Sequence, residues 1–163
     1  MRIGLGYDIH RLGADRPLLL GGVEIPGAPG AIAHSDGDVL IHAVIDALLG
    51  AAGLEDIGTY YPPEDPRWLD VSSRKLLRET AARIRESGRF TIGNLDCVVI
   101  LERPKIRPFR DRIRANLAAD LNLKPEDIGL KGKTREGLGE VGCGEAVEVY
   151  AVALLRRLPD DQD

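Results

Sequence analysis

The chain holds three histidines, His10, His34 and His42, all within its first 42 residues. Asp8 and His10 stand two apart in a stretch that reads as a strand, so their side chains project from the same face. His42 falls in the second turn of a helix expected to start after His34-Ser35-Asp36-Gly37-Asp38. Two imidazoles and a carboxylate form a three-ligand set with one position open, which a catalytic zinc needs and a structural zinc lacks. The same donors suit manganese or iron, so zinc is a preference. Each piece is weak alone, since a lone helical histidine is more often a hydrogen-bonded core residue. The set becomes a site only if strand and helix meet, which spacing leaves open.

The run from His34 to Asp38 raises a second possibility. Free backbone N–H groups at a helix start favour an anion, typically phosphate. Ser35, Asp36 and Asp38 are also good N-caps, and their charges would repel a phosphate unless a cation intervened. On local grounds capping leads. A basic cluster, Arg103, Lys105, Arg107, Arg110, Arg112 and Arg114, reads over its last three members as a solvated helix face.

Residues 2–10 alternate as a strand, and 17–25 read as a small hairpin turning at Gly21-Gly22. Residues 26–33, rich in Pro and Gly, read as a loop. The apolar spacing of 39–53 predicts a helix closed by Gly50 and Gly53, and 54–70 an irregular loop. Residues 72–87 form an amphipathic helix capped by Ser72 or Ser73. A strand over 91–101, a helix over 107–121 starting near Pro108, a turn at 125–127 and strands over 128–134 and 146–158 complete the pattern. This interleaving predicts an α/β architecture of α+β layers: a single sheet of about four main strands with helices packed on one face, plus the small hairpin. Residues 1–158 are expected to form one domain and 159–163 a disordered tail.

With 163 residues, 44% hydrophobic and 29% charged, the composition is that of a globular domain. A formal net charge of −4 argues against nucleic-acid or membrane-surface partners. No segment approaches the ~20 apolar residues needed to span a bilayer. The two cysteines, Cys97 and Cys143, lack metal-ligand spacing, and such low usage fits a reducing, cytoplasmic setting. Gly4-x-Gly6 lacks the third glycine of a dinucleotide fingerprint.

Residues 4–10 (GLGYDIH), 21–26 (GGVEIP), 33–50 (AHSDGDVLIHAVIDALLG), 56–58 (DIG) and 136–145 (EGLGEVGCGE) together resemble the family of 2-C-methyl-D-erythritol 2,4-cyclodiphosphate synthases. The resemblance implies conversion of 4-diphosphocytidyl-2-C-methyl-D-erythritol 2-phosphate to the cyclic diphosphate with loss of CMP, in the non-mevalonate route to isoprenoid precursors. It implies a divalent metal, zinc by preference, at Asp8, His10 and His42, and a second cation, magnesium or manganese, held by Glu136. It assigns His34 and Thr134 to the transition state. Asp8, His10, His34 and Ser35 would contact substrate, and Asp56, Ile57 and Gly58 the methylerythritol part. Tyr61, Pro62, Pro63, Glu64 and Asp65 match a covering loop. Leu101, Glu102, Arg103, Pro104, Lys105, Ile106 and Arg107 match the cytosine pocket, and Lys133, Thr134, Arg135 and Glu136 the phosphate-binding run. Homotrimers with sites between subunits are implied as well.

Four positions depart from the family pattern. Lys133 and Arg135 replace hydroxyls, and they either strengthen phosphate binding or face solvent. Pro63 removes a carboxylate and a backbone donor. Cys143 stands where relatives carry an arginine at the trimer's central cavity, so weak or absent isoprenoid diphosphate binding is expected there. Two alternatives remain at this point: a metal-dependent diphosphate hydrolase, and an inactive trimeric metal- or ligand-binding protein.

Overall fold

A computed structural model describes residues 1–159; the tail expected to be disordered lies, over 160–163, outside the described residues. Strand β1 (Arg2–Leu20) turns through Gly21 and Gly22 into β2 (Val23–Ala31). Both turn glycines have positive φ, 59° and 69°, the backbone that a tight two-residue hairpin turn demands. Helix α1 (Val39–Ala52), a four-residue α2 (Ile57–Tyr60) and α3 (Ser73–Glu86) lead to β3 (Phe90–Ile100). Helix α4 (Arg110–Leu121), β4 (Ile128–Lys133), a short α5 (Gly139–Gly142) and β5 (Ala146–Arg157) follow.

The strands form one five-stranded sheet in the order β2-β1-β5-β3-β4. Only β3 and β4 run parallel. This corrects the expectation of four main strands and a separate hairpin. Leu12 pairs with Ala31, Ala14 with Gly30 and Pro17 with Pro29, with register shifts between them. The Pro- and Gly-rich stretch read as a loop is therefore most of β2. It is an edge strand, the place where a sheet tolerates proline because outward N–H groups need no partner. The loop expected over 54–70 contains α2 and a 3₁₀ turn at Pro66–Trp68. The helix expected from 107 begins as a 3₁₀ turn, Arg107–Phe109, before α4.

Contact between α1 and β1 sets the layer spacing. A Cβ on Gly4 would lie 1.9 Å from the Ala47 carbonyl oxygen, and one on Gly6 would lie 1.8 Å from that of Ala43. Glycines on the strand and Ala43, Ala47 and Ala51 on the helix let the two backbones touch. Ala151, Ala153, Cys97, Leu95 and Val99 continue this buried face. Burial pushes the Cys97 thiol up to about 12, as expected of an inert core residue. The other face of β1 carries Ile3, Leu5, Tyr7 and Ile9, 72%, 66%, 43% and 47% exposed. Leu5 pairs with Val152 and Tyr7 with Tyr150, so the exposed apolar ladder extends onto β5.

Candidate metal centre and a second cavity

Along the helix-facing side of β1, Gly4 and Gly6 are followed at the same two-residue period by Asp8 and His10. On α1, His42 precedes Ala43, whose carbonyl packs on Gly6. The register that seats helix on strand thus brings the three side chains together, which spacing had left open. Their donor atoms all lie within 4.8 Å of one another. Asp8 Oδ2 is 3.2 Å from His10 Nδ1 and 3.1 Å from His42 Nδ1. Burial pushes the Asp8 carboxyl up, but the two imidazoles beside it outweigh that effect and leave the pKa below the ordinary carboxylate value.

His10 Nδ1 is buried yet makes no hydrogen bond, although Asp8 stands 3.2 Å away. A buried nitrogen without a proton partner, beside a carboxylate and a second imidazole, fits a divalent cation such as zinc, manganese or iron.

Both histidines border a cavity of 320 Å³ that also contains His34, Ser35, Ile57, Gly58, Tyr61 and Pro63. Arg16 and Asp46, not singled out in the sequence, brace this cavity, and Asp38 takes the capping role expected of it. Arg16 binds the carbonyls of Ala31 (2.8 Å), Ala33 (3.2 Å) and Ser35 (2.9 Å), and so fixes the loop bearing His34. Asp46 Oδ1 accepts the Ile57 N–H at 2.8 Å, and burial raises its pKa. Asp46 lies one turn after His42 on the same helix face, a signal that was available in an otherwise apolar run. Asp38 is the N-cap of α1 and fully buried. It also accepts the N–H groups of Gly21 (2.9 Å) and Gly22 (2.6 Å), joining the hairpin to the helix.

Other predicted residues stand nearby without lining this cavity. Asp56 caps α2 through the Thr59 N–H at 2.9 Å. Asp65 pairs with Arg67 at 2.5 Å, and Pro62 and Glu64 lie between the two turns.

A second cavity, 520 Å³, opens at the ends of β3 and β4. Leu101, Lys105, Ile106, Arg107, Lys133 and Thr134 line it, together with Arg110. Arg110 is therefore more than a solvated helix face. Arg114 also departs from that reading, since its guanidinium donates to the carbonyl of Ile128 at 2.9 Å and ties α4 to β4. Arg103 and Pro104, joined by a cis bond, sit on the adjoining turn. Thr134 Oγ1 donates to Glu136, whose φ of 52° is in the left-handed region. Arg135 neither lines the cavity nor faces solvent freely. Its N–H donates to Glu102 at 3.1 Å, and its guanidinium grips the buried Glu148 at 2.5 Å. Tyr150 also donates to Glu148, at 3.0 Å. The two cavities share no lining residue.

Among the described residues no helix is long and apolar enough to cross a membrane. The chain is 52% identical over 155 residues to the 2-C-methyl-D-erythritol 2,4-cyclodiphosphate synthase of Treponema denticola, covering 95% of this chain and 96% of that one. It superposes on the bifunctional IspDF from Campylobacter jejuni with a TM-score of 0.92 and 40% identity, covering 96% of this chain and 42% of that one. On a 2C-methyl-D-erythritol-2,4-cyclodiphosphate synthase in a CDP-bound form, the TM-score is 0.86 at 43% identity, over 95% of this chain and 100% of that one. The model of the YgbB family matches residues 1–156, and the chain belongs to that family.

Proposed function

We propose that this chain, acting as one synthase domain over residues 1–158, converts 4-diphosphocytidyl-2-C-methyl-D-erythritol 2-phosphate to 2-C-methyl-D-erythritol 2,4-cyclodiphosphate and CMP. The reaction serves isoprenoid precursor synthesis by the non-mevalonate route, in the cytoplasm. The observation that carries this reading is the convergence of Asp8, His10 and His42 beside a cavity that the two histidines share with His34 and Ser35, in a chain 52% identical to a named synthase.

An oxygen of the 2-phosphate forms a bond to the β-phosphorus. The bond from that phosphorus to the bridging oxygen breaks, and the oxygen leaves with the α-phosphate as CMP. Two phosphates of like charge must approach, so the residues act chiefly by neutralisation and positioning. Asp8, His10 and His42 hold one divalent cation, zinc by preference, and Glu136 holds a second, magnesium or manganese. When bound, such cations supply Lewis-acid charge to the diphosphate. His34 donates a hydrogen bond to a phosphate oxygen as charge develops, and Thr134 does the same once its hydroxyl turns from Glu136 to the phosphate. Asp56, Ile57 and Gly58 orient the methylerythritol part, and the 61–65 segment covers it. Residues 101–107 receive the cytosine, and Lys105 and Lys133 place positive charge near the diphosphate.

A homotrimer completes the site. Asp8, Val149, Val99 and Gly132 share one register row across β1, β5, β3 and β4. At the usual strand spacing, Asp8 and Gly132 stand roughly 14 Å apart, and the buried Val149 and Val99 occupy the row between them. The metal centre of one subunit facing the nucleotide cavity of its neighbour would close the site. The exposed ladder of Ile3, Leu5, Tyr7, Tyr150 and Val152 supports burial of this face between copies.

Incubation of the chain with the cytidyl substrate and magnesium, followed by phosphorus NMR, tests the proposal. A cyclic diphosphate should appear together with CMP. CMP with a linear bisphosphate would instead show hydrolysis, and no turnover would refute the assignment.

A further inference from the structure

The cap position of α3 is occupied by Ser72, whose side chain makes no capping bond. Asp36, from the loop before α1, does this work from a distance. Its Oδ2 accepts the Ser73 N–H at 2.9 Å, and its Oδ1 accepts the Ser73 hydroxyl. Ser73 is fully buried, and its Oγ lies 2.9 Å from His42 Nε2.

The direction of each proton follows from valence. A carboxylate only accepts, and a serine hydroxyl has one proton to give. With that proton committed to Asp36, Ser73 Oγ can only accept from His42. His42 must then carry its proton on Nε2 and present the Nδ1 lone pair, which stands 3.1 Å from Asp8 Oδ2. Two acceptors facing each other are reconciled by a cation that both can bind. Ser35 adds to this order. Its Oγ accepts the Gly37 N–H at 3.2 Å and lies 3.2 Å from His42 Nε2.

We propose that Asp36 and Ser73 are positioning residues of the metal centre, fixing His42 as the Nε2–H tautomer so that Nδ1 coordinates the cation. The inference rests on the metal reading above and adds two residues outside the ligand set. It also gives Asp36 a task other than capping its own helix or repelling phosphate.

Zinc affinity, measured by competition with a chromogenic chelator, tests it in Asp36→Asn and Ser73→Ala. An asparagine offers one acceptor where the carboxylate offers two, so either the Ser73 N–H or its hydroxyl would face a donor. Both variants should bind zinc roughly 10- to 100-fold more weakly, the loss typical of removing a partner that orients a metal-bound histidine. Their affinity for CMP, which reports the other cavity, should be retained. Ser72→Ala, which removes no link to His42, should bind zinc like the wild type. The zinc-loaded wild type decides independently of how any variant folds. Proton–nitrogen correlation spectra should show His42 protonated on Nε2 and coordinated through Nδ1, and the opposite tautomer would overturn the inference. Zinc binding that requires His42 but is indifferent to both Asp36 and Ser73 would overturn it alone. A wild type that binds no zinc, or loses none on His42→Ala, would overturn the metal reading along with it.

Discussion

Asp8, His10 and His42 stand on regular backbone, one strand and one helix locked together at Gly4 and Gly6, whereas Lys105, Arg107, Thr134 and Glu136 stand on turns. The donor side chains are largely buried, at 25%, 14% and 12% exposure for Asp8, His10 and His42. Lys105, Arg107, Lys133, Thr134 and Glu136 are all exposed. The contrast follows from what each region must do. A metal ion accepts little error in ligand position, and packed secondary structure holds side chains more exactly than loops do. A nucleotide can be gripped by backbone groups and mobile cations, and its pocket can be finished by a neighbouring subunit.

The largest expected effect separates the two regions outright. His42→Ala should abolish zinc binding and lower kcat/KM by about a thousandfold or more, since several kcal/mol of Lewis-acid stabilisation are lost. CMP affinity, measured by calorimetry, should stay close to the wild-type value. If it collapsed as well, the regions would be coupled and the comparison would fail.

A pair of glycine substitutions sharpens the same point. In Gly6→Ala the new Cβ meets the Ala43 carbonyl oxygen, backbone that cannot turn aside. In Gly132→Ala it lies 2.8 Å from Ile106 Cγ1, a side chain that can rotate. The first should cost about 3 kcal/mol or more and weaken zinc binding, because β1 and α1 must part; the second should cost about 1 kcal/mol and spare zinc. Thermal denaturation and chelator competition read both. Equal losses of zinc would mean that strand–helix contact does not set the metal geometry.

The two regions were also unequally legible in the sequence. Residue type and two-residue alternation put Asp8 and His10 on one face, and helical spacing placed His42, because regular backbone writes its period into the chain. Their meeting was not legible, since it depends on how closely α1 can approach two glycines. The start of β2 was read as the second arm of the hairpin, but its continuation over 26–31 was missed because Pro26, Pro29 and four glycines in and around the strand read locally as a loop, while its edge position makes those residues acceptable. Arg16 and Asp36 bind segments 15 and 37 residues away, and nothing in their neighbours announced those contacts; Asp46 was marked only as the one acid within an apolar helix. For the second cavity, turns have no period, so the assignments of residues 101–107 and 133–136 came from family resemblance. That resemblance offered no guide to Arg135, where the chain departs from the pattern.

Lys105→Ala brings the comparison to the nucleotide side. Under the proposed function Lys105 faces the diphosphate, and its loss should raise KM about tenfold, equivalent to ~1.4 kcal/mol, with zinc content unchanged. Steady-state kinetics with metal analysis would reveal a failure if kcat fell while KM held.

The smallest effect concerns the link behind the turn that bears Thr134 and Glu136. Burial pushes the Glu148 carboxyl up, but the hydrogen bonds and charge of Arg135, aided by Tyr150, bring its pKa below the ordinary carboxylate value. A group depressed in the folded state adds stability above its unfolded pKa, and that contribution is lost as pH falls through the folded value. Glu148→Gln should therefore be slightly less stable than the wild type near neutral pH. The difference should close as pH falls below the usual carboxylate range. Urea denaturation of the metal-free proteins at several pH values measures this without interference from metal loss. Zinc affinity at neutral pH should not change, because Glu148 and Arg135 hold the turn of Thr134 and Glu136 and touch no metal ligand. A stability gap that persisted in acid would show that Glu148 acts by shape and packing instead of by its charge on Arg135.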